Sequence, residues 1–482
     1  MRVESSSRWA PVVAAAAVLA VGALAWPYTV DDAFIVARYA SRLAHGLGYT
    51  MNEGPATDGI TGPLWIVPGW IASALGLDPI AAAKAVGLAC AAAAAALVVA
   101  EVRRRAVGSR AVWTATALLA LSATVGVWAV AGLETGAAML ATTVALIAAV
   151  RRPEPMGIVL GIAGALLAWL RPEAVPGALV LAAMAVRRNR REGLVALGLV
   201  ALGLASVAAF RLALFGTALP LSLSAKPADL GNGAGYLARG LVLALGAVGI
   251  APAWVAVGQS RSLRIPAALV ITHGASVVLA GGDWMPGFRL LAPVMPAYAW
   301  LVGVGVSDLA RRPRVGARGA WALAVLACAI PALDLAAGIV GARAAGESRE
   351  HAGAALVEEL RAHAHVIALV DIGFVGYETD LPVVDLAGVT DPSIGQLPGG
   401  HADKPVDFAL LAQRHVDAIV LHAVVEPRVE DGRLRSLAGA FGVEERLAMD
   451  ERLGRTFRVS RVIQYAPAYW YVVLVPRDEA AP

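Results

Sequence analysis

Two adjacent carboxylates follow an apolar run in the stretch Trp26-Pro27-Tyr28-Thr29-Val30-Asp31-Asp32-Ala33-Phe34-Ile35. Ionisable groups at a membrane surface are costly unless they are used or solvated. A carboxylate held there can take a proton from a hydroxyl. The pair also reads as a helix start, with Asp31 as N-cap and Asp32 in the first turn of a helix reaching about His45. The two readings are compatible, because a cap fixes a carboxylate in place. The same loop carries Asn52 and Asp58 among turn-forming Gly and Thr. Four further polar clusters interrupt the apolar sequence: Gly132-Leu133-Glu134-Thr135, Leu170-Arg171-Pro172-Glu173, the stretch from Pro220 to Lys226, and Gly281-Gly282-Asp283-Trp284-Met285-Pro286-Gly287-Phe288-Arg289. Any one of the cations suits a headgroup anchor. Lys226 stands out because Lys is scarce in this Arg-rich chain, and a compact point charge suits phosphate. Carboxylates and cations grouped at one cavity suit a phosphate-bearing lipid and an acceptor that must be deprotonated.

The elements that must position these residues are membrane helices. Of the 482 residues, 58% are hydrophobic and 16% charged, against about 25% charged in soluble domains. Apolar runs recur from Pro11 to Val340 and then stop. Their length matches a bilayer crossed by helix, the form that satisfies its backbone internally. About eleven spans are predicted, at 11–26, 80–101, 111–131, 134–150, 156–170, 174–187, 193–214, 237–258, 265–281, 290–306 and 316–340. Arg103 to Arg105, Arg151-Arg152, Arg187 to Arg191, Arg261 with Arg264, and Arg311 to Arg314 lie in alternate loops. The positive-inside rule makes those loops cytoplasmic. It puts the polar clusters outside, together with a first outer loop at about 27–79 and everything after residue 340. The short apolar stretch Pro63 to Leu77 is predicted to lie at the outer interface, with a re-entrant hairpin as its rival. The basic charge sits in short loops, which argues topology and no nucleic-acid partner. Cys90 and Cys328 lie inside apolar runs and imply no disulfide framework.

The architecture predicted is a polytopic α-helical membrane domain over 1–340 followed by an extracytoplasmic α/β domain over 341–482. Val366 to Val370, Pro382 to Leu386, Ala418 to Leu421 and Tyr469 to Val475 read as strands, and Phe408 to His415 as helix.

In order along the chain, Asp31-Asp32, the amphipathic outer-loop helix, Asn52, Thr61-Gly62-Pro63-Leu64-Trp65, Gly132-Leu133-Glu134-Thr135, Leu170-Arg171-Pro172-Glu173, Ala225-Lys226 and Gly281-Gly282-Asp283-Trp284-Met285 resemble the GT-C superfamily of membrane glycosyltransferases. The mycobacterial terminal β-arabinofuranosyltransferase group is the nearest subgroup. Asp371-Ile372-Gly373 and Val384-Asp385-Leu386-Ala387-Gly388-Val389-Thr390-Asp391-Pro392 extend the resemblance, which runs from about Trp26 to Pro392. It implies an inverting transfer, with arabinofuranose as the suggested sugar, from a polyprenyl-phosphate donor to an envelope glycan or lipid acceptor at the inner (plasma) membrane. Carried over, Asp31 or Asp32 is the base, with Asp31 favoured. Lys226, Arg171 and Arg289 meet the departing phosphate. Glu134, Glu173, Asp283, Trp284, Asn52 and Asp58 are candidates for sugar or acceptor contacts. The chain departs from the pattern at Pro220-Leu221-Ser222, where relatives read Pro-Asn-Thr, and at Asp58-Gly59-Ile60-Thr61. Those departures bear on which sugar is carried more than on the reaction class.

Two other functions fit parts of the sequence. A transporter or flippase would place ionisable groups near mid-span in repeated halves, whereas here they sit at span ends with no matching halves. A non-enzymatic glycan-binding envelope protein would leave the outer polar clusters without a role. The eight His show no ligand spacing, so no metal or other cofactor is required by the sequence.

Overall fold

The computed structural model describes residues 7–105, 108–151 and 153–477; Arg152 of the second basic loop lies outside them. All eleven apolar segments are helical. Among the described residues, five helices are long and apolar enough to cross a membrane: Pro79–Arg104, Arg190–Phe215, Arg261–Leu279, Arg289–Leu309 and Gly316–His363. Two bent pairs, Ser109–Ala120 with Ala123–Val130 at 62° and Leu230–Leu243 with Ala247–Gly258 at 84°, raise the number to seven if each crosses once. The remaining segments, among them Ala10–Leu24, Thr135–Val150 and Gly157–Leu170, are apolar helices of 10–17 residues. Helix length alone therefore supports fewer crossings than eleven.

The two kinds of loop gather at opposite ends of the bundle. At one end Arg105 donates to the Val150 carbonyl (3.0 Å), and Arg188 donates to the carbonyls of Ala149 and Arg151. At the other end the Gly132–Thr135, Arg171–Glu173 and Asp283–Arg289 clusters meet the first loop. The Pro63–Leu77 stretch forms a short helix, Ile66–Ala74, packed on Asp31–Ala44 and on the start of Pro79–Arg104. Its free edge exposes Trp70, Ile71, Leu75 and Leu77, the amphipathic character of an interfacial segment.

No linker separates the bundle from the α/β layer. The Gly316–Ser348 helix runs on through a π-helical turn at Arg349–Gly353 into Ala354–His363, so residue 340 falls within a continuous rod. A sheet follows, of β1 (Ile367–Leu369), β2 (Val383–Asp385), β3 (Ala418–Ala423), a separate hairpin of β4 (Arg428–Glu430) and β5 (Arg433–Ser436), then β6 (Phe457–Ala466) and β7 (Tyr469–Pro476). Its order is β2-β1-β3-β7-β6, with β1 parallel to β2 and β3, and β7 antiparallel to β3 and β6. β1 to β3 are buried throughout, as strands covered on both faces must be. One apolar core joins the two parts: Val30, Ala33, Val36, Tyr39 and Met51 of the first loop pack with Ile367, Ile372, Val375, Val383 and Val420.

The buried Asp385 shapes the turn after β2. It accepts from the amides of Ala387 (3.0 Å), Gly388 (3.0 Å) and Thr390 (2.7 Å) and from the Thr390 hydroxyl (3.0 Å). Asp385→Ala strands several buried donors, each costing about 1–3 kcal/mol. Hydrogen exchange should report an opening free energy for β1–β3 lower by about 3 kcal/mol, and unchanged protection would refute this role.

Candidate active site

The first-loop helix Asp31–Ala44 lies against the helix Ile372–Thr379, which opens directly after β1. Its N-cap is Val30, so Asp31 does not cap its own helix as the sequence suggested. The Asp31 carboxylate reaches the other helix, accepting from the amides of Gly373 (2.8 Å) and Phe374 (2.8 Å). A helix N-terminus presents unpaired N–H groups and a positive dipole end, and so attracts an anion. In open α/β sheets this place, beyond the carboxyl ends of strands where chain order reverses, is where ligands bind. Here a side chain of the membrane domain occupies it. Desolvation, then the neighbouring Asp371 carboxylate, push Asp31 up to about 7 against the pull of the two amides.

Asp32 points elsewhere. Its side chain keeps 33% of its surface exposed, and Oδ2 lies 3.9 Å from Nη2 of Arg289. Arg289 is itself paired to Asp283 (2.5 Å) and lies over the Trp128 ring at 5.3 Å. Trp128 is fixed by a bond to the Pro286 carbonyl (3.1 Å). Arg171 sits between two carboxylates, at 2.8 Å from Glu134 and 2.8 Å from Glu173, within electrostatic reach of Arg289. Glu134, Glu173 and Asp283 are thus each committed to an arginine.

Lys226 differs from these arginines. Among the described residues no hydrogen bond or ion pair engages its amino group, which is partly exposed. The short helix before it, Ser222–Ala225, is pinned from both domains. Leu221 donates its amide to Asp58 (3.2 Å) and Thr61 donates to Ser222 (3.1 Å). From above, the buried Lys404 donates to the carbonyls of Ser224 (3.1 Å), Leu397 (2.9 Å) and Gly399 (3.2 Å).

The loop carrying Lys404 also brings in His401, a residue that sequence reasoning missed. Its Nδ1 is buried without a hydrogen-bond partner. Burial first, and then Lys226, hold it down at about 4 despite Asp32 and Asp283 on its other sides. It is therefore a neutral imidazole within electrostatic reach of Lys226, Asp32 and Asp283.

Three expected contacts fall outside this cluster. Asn52 spends its whole amide on edge strand β2, donating to the Val383 carbonyl (2.7 Å) and accepting from the Val383 amide (2.9 Å). Asp58 is buried in an ion pair with Arg211 at 3.0 Å. Trp284 is 58% exposed, and its neighbour Asp283 alone joins Arg289. Among the described residues no three of His, Cys, Asp and Glu are grouped to hold a metal ion.

Two solved structures of ArnT from Cupriavidus metallidurans, one apo and one bound to undecaprenyl phosphate, superpose on 99% of this chain and 100% of theirs, with a TM-score of 0.60 and 12% identity. The chain has a GT-C fold. Residues 340–473 match a domain of unknown function, DUF8728, a span that starts inside the long helix and ends in β7. No curated protein matches the chain in sequence.

Because docking raises Asp31 above the ordinary carboxylate value of about 3.9, the docked state holds that proton more tightly than the undocked one. Its stability should fall as pH rises through about 4–7 and level off above the upper value. Corrected amide protection at Gly373 and Phe374 should follow that slope. Asp31→Asn, which keeps an oxygen acceptor, should flatten it, and Asp31→Ala should lose the protection at every pH. Equal slopes in wild type and Asp31→Asn would contradict the assignment.

Proposed function

We propose that this chain is an inverting membrane glycosyltransferase that moves a sugar from a polyprenyl-phosphate donor to a hydroxyl of an envelope acceptor. One observation carries the reading: a partly exposed carboxylate, Asp32, faces the paired Arg289, and Asp32 and Lys226 both lie within electrostatic reach of His401, at the end of the bundle that bears the α/β layer. The likeness to an ArnT structure that holds undecaprenyl phosphate supports the donor class. The arginine loops at the opposite end support a cytoplasmic N-terminus and an extracytoplasmic α/β domain, in the inner (plasma) membrane.

Asp32 is the better base of the two. Asp31 already accepts two amide bonds and is buried beside another carboxylate, whereas Asp32 is partly exposed, 3.9 Å from Arg289, and free to meet an acceptor hydroxyl. In the step proposed, Asp32 takes the acceptor O–H proton as the oxygen attacks the anomeric carbon. The bond from that carbon to the phosphate oxygen breaks, and its electron pair stays on the phosphate. Lys226, which has no competing carboxylate among the described residues, meets the developing charge first. Arg289 supports it while Asp283 holds the guanidinium in place, and His401 offers an N–H. Arg171, flanked by two glutamates, is nearly neutralised and serves better to organise Glu134 and Glu173 towards sugar hydroxyls. Arabinofuranose, suggested by the sequence resemblance, is the first donor sugar to assay.

Asp32→Asn should lower kcat by about 10³-fold or more, within the range of a lost general base, with donor KM little changed. Asp31→Asn should keep at least a tenth of the rate. Lys226→Met should weaken undecaprenyl-phosphate binding by about 10–100-fold, the worth of one charge-assisted bond. These are read by transfer assays and lipid-binding titrations in nanodiscs. Full activity in Asp32→Asn would sink the proposal.

A further inference from the structure

A second polar cluster, in the α/β layer, is left unused by this chemistry. His422 of β3 and Glu444 of the helix Gly442–Met449 are both fully buried. Their side chains meet at 2.5 Å, and the His422 amide donates to Glu444 at 3.1 Å. Burial works against a charged imidazole, but Glu444 and then Asp371 overcome it and push His422 up to about 9. A buried ion pair is costly, and replacing it with packed apolar side chains is often neutral or stabilising. Its effect here is directional: His422 Nε2 lies 3.7 Å from Asp371 Oδ2, and the Tyr469 hydroxyl donates to the same oxygen at 3.3 Å. Two residues beyond β1, Asp371 stands at the carboxyl ends of β1 and β3. Its side chain keeps 27% of its surface exposed.

Three partly exposed tyrosines from the β6–β7 hairpin surround that carboxylate. Tyr465 lies 5.2 Å from Tyr471 and 6.2 Å from Tyr469, ring centre to ring centre, and Tyr469 lies 6.1 Å from Tyr471. Among the described residues the hydroxyls of Tyr465 and Tyr471 have no hydrogen-bond partner. Asp371, Glu444 and Asp31 are set against His422 and Arg349, and Arg349 and Asp31 both act on Tyr465 and Tyr471. Asp31, pushed up to about 7, carries its charge only in part near neutral pH. A site so close to neutral, with an oriented carboxylate, free hydroxyls and aromatic faces, suits a polyol better than a cation. Tyr28 lies within reach of Arg349 and of Arg289, Asp283 and Asp32.

We propose that Asp371 with Tyr465, Tyr469 and Tyr471 forms a shelf that binds a neutral sugar of the acceptor glycan, stacking its C–H face on tyrosine and taking its hydroxyls on Asp371. The proposal rests on the glycosyltransferase reading for the word acceptor, and on its own geometry for the binding. The Glu444–His422 pair is a positioning device that keeps Asp371 aimed.

The test uses the full chain in nanodiscs and saturation-transfer NMR with the free methyl glycosides of arabinofuranose, galactofuranose, mannose and glucose, without donor. Transfer to the ring protons of at least one glycoside is expected. It should be lost in Tyr465→Ala and reduced at least threefold in Asp371→Asn, with Gly373 and Phe374 amide protection retained in both. In turnover the same variants should raise acceptor KM about tenfold or more, leaving donor KM and undecaprenyl-phosphate affinity unchanged. Absence of signal with all four glycosides, displacement of the glycoside by choline, or unchanged binding in both variants would overturn the shelf. Glycoside binding in a protein that transfers no sugar would leave the shelf standing and remove the transferase reading.

Discussion

The contact on which the rest depends is the Asp31 carboxylate seated on the amides of Gly373 and Phe374. It joins the start of the first long loop to the start of the first helix after β1, across more than three hundred residues of sequence. Around it the two domains share one apolar core. Polar bonds extend the same seam: Arg38 donates to the carbonyls of Met51 (2.8 Å) and Leu381 (2.9 Å), and Asn52 pairs with Val383. A helix N-terminus that would otherwise hold a free anion is satisfied from within the chain. The α/β layer is thereby fixed over the bundle instead of hanging from it.

That fixation separates the acidic pair. Consecutive residues at a helix start point in different directions, so once Asp31 is committed to the α/β layer, Asp32 is turned towards the cations. The cations are graded by the company they keep. Arg171 has two carboxylates, Arg289 has one close and one distant, and Lys226 has none among the described residues. In the proposed reaction, such grading would leave one positive charge free for a phosphate while the arginines hold geometry, which is how a preorganised electrostatic site differs from a merely basic one. Lys404, from the opposite domain, closes the arrangement by tying down the segment that ends in Lys226.

Much of this was legible in sequence, and the parts that were not share a cause. Long apolar runs and their arginine punctuation depend on local composition, so the helices and the two ends of the bundle could be read directly. β1, β2, β3 and β7 were visible as short apolar runs with turn residues between them. β6 was missed: Arg458, Ser460, Arg461 and Gln464 blur its alternation, and bulges near Val459 and Gln464 shift its register. That the polar clusters belong together was legible, but their internal pairing was not. That Asp58 serves Arg211, that Asn52 serves an edge strand, and that Asp31 caps a distant helix are all facts of long-range pairing, which carry no spacing signal. His401 and Lys404 were invisible for the same reason, as single polar residues in a turn-rich loop whose role comes only from what lies beneath it.

The proposed roles of Lys226, Arg289 and Asp32 are tested most directly by where a lipid phosphate comes to rest. Cryo-electron microscopy of the full chain in nanodiscs with undecaprenyl phosphate would show it. The phosphate should lie within about 4 Å of the Lys226 amino group and beside Arg289, with His401 at its edge. Asp32 should face the space next to it, and Asp31 should remain on the amides of Gly373 and Phe374. A phosphate bound away from Lys226, or an Asp31 released from those amides to face the phosphate while Asp32 turns aside, would contradict it.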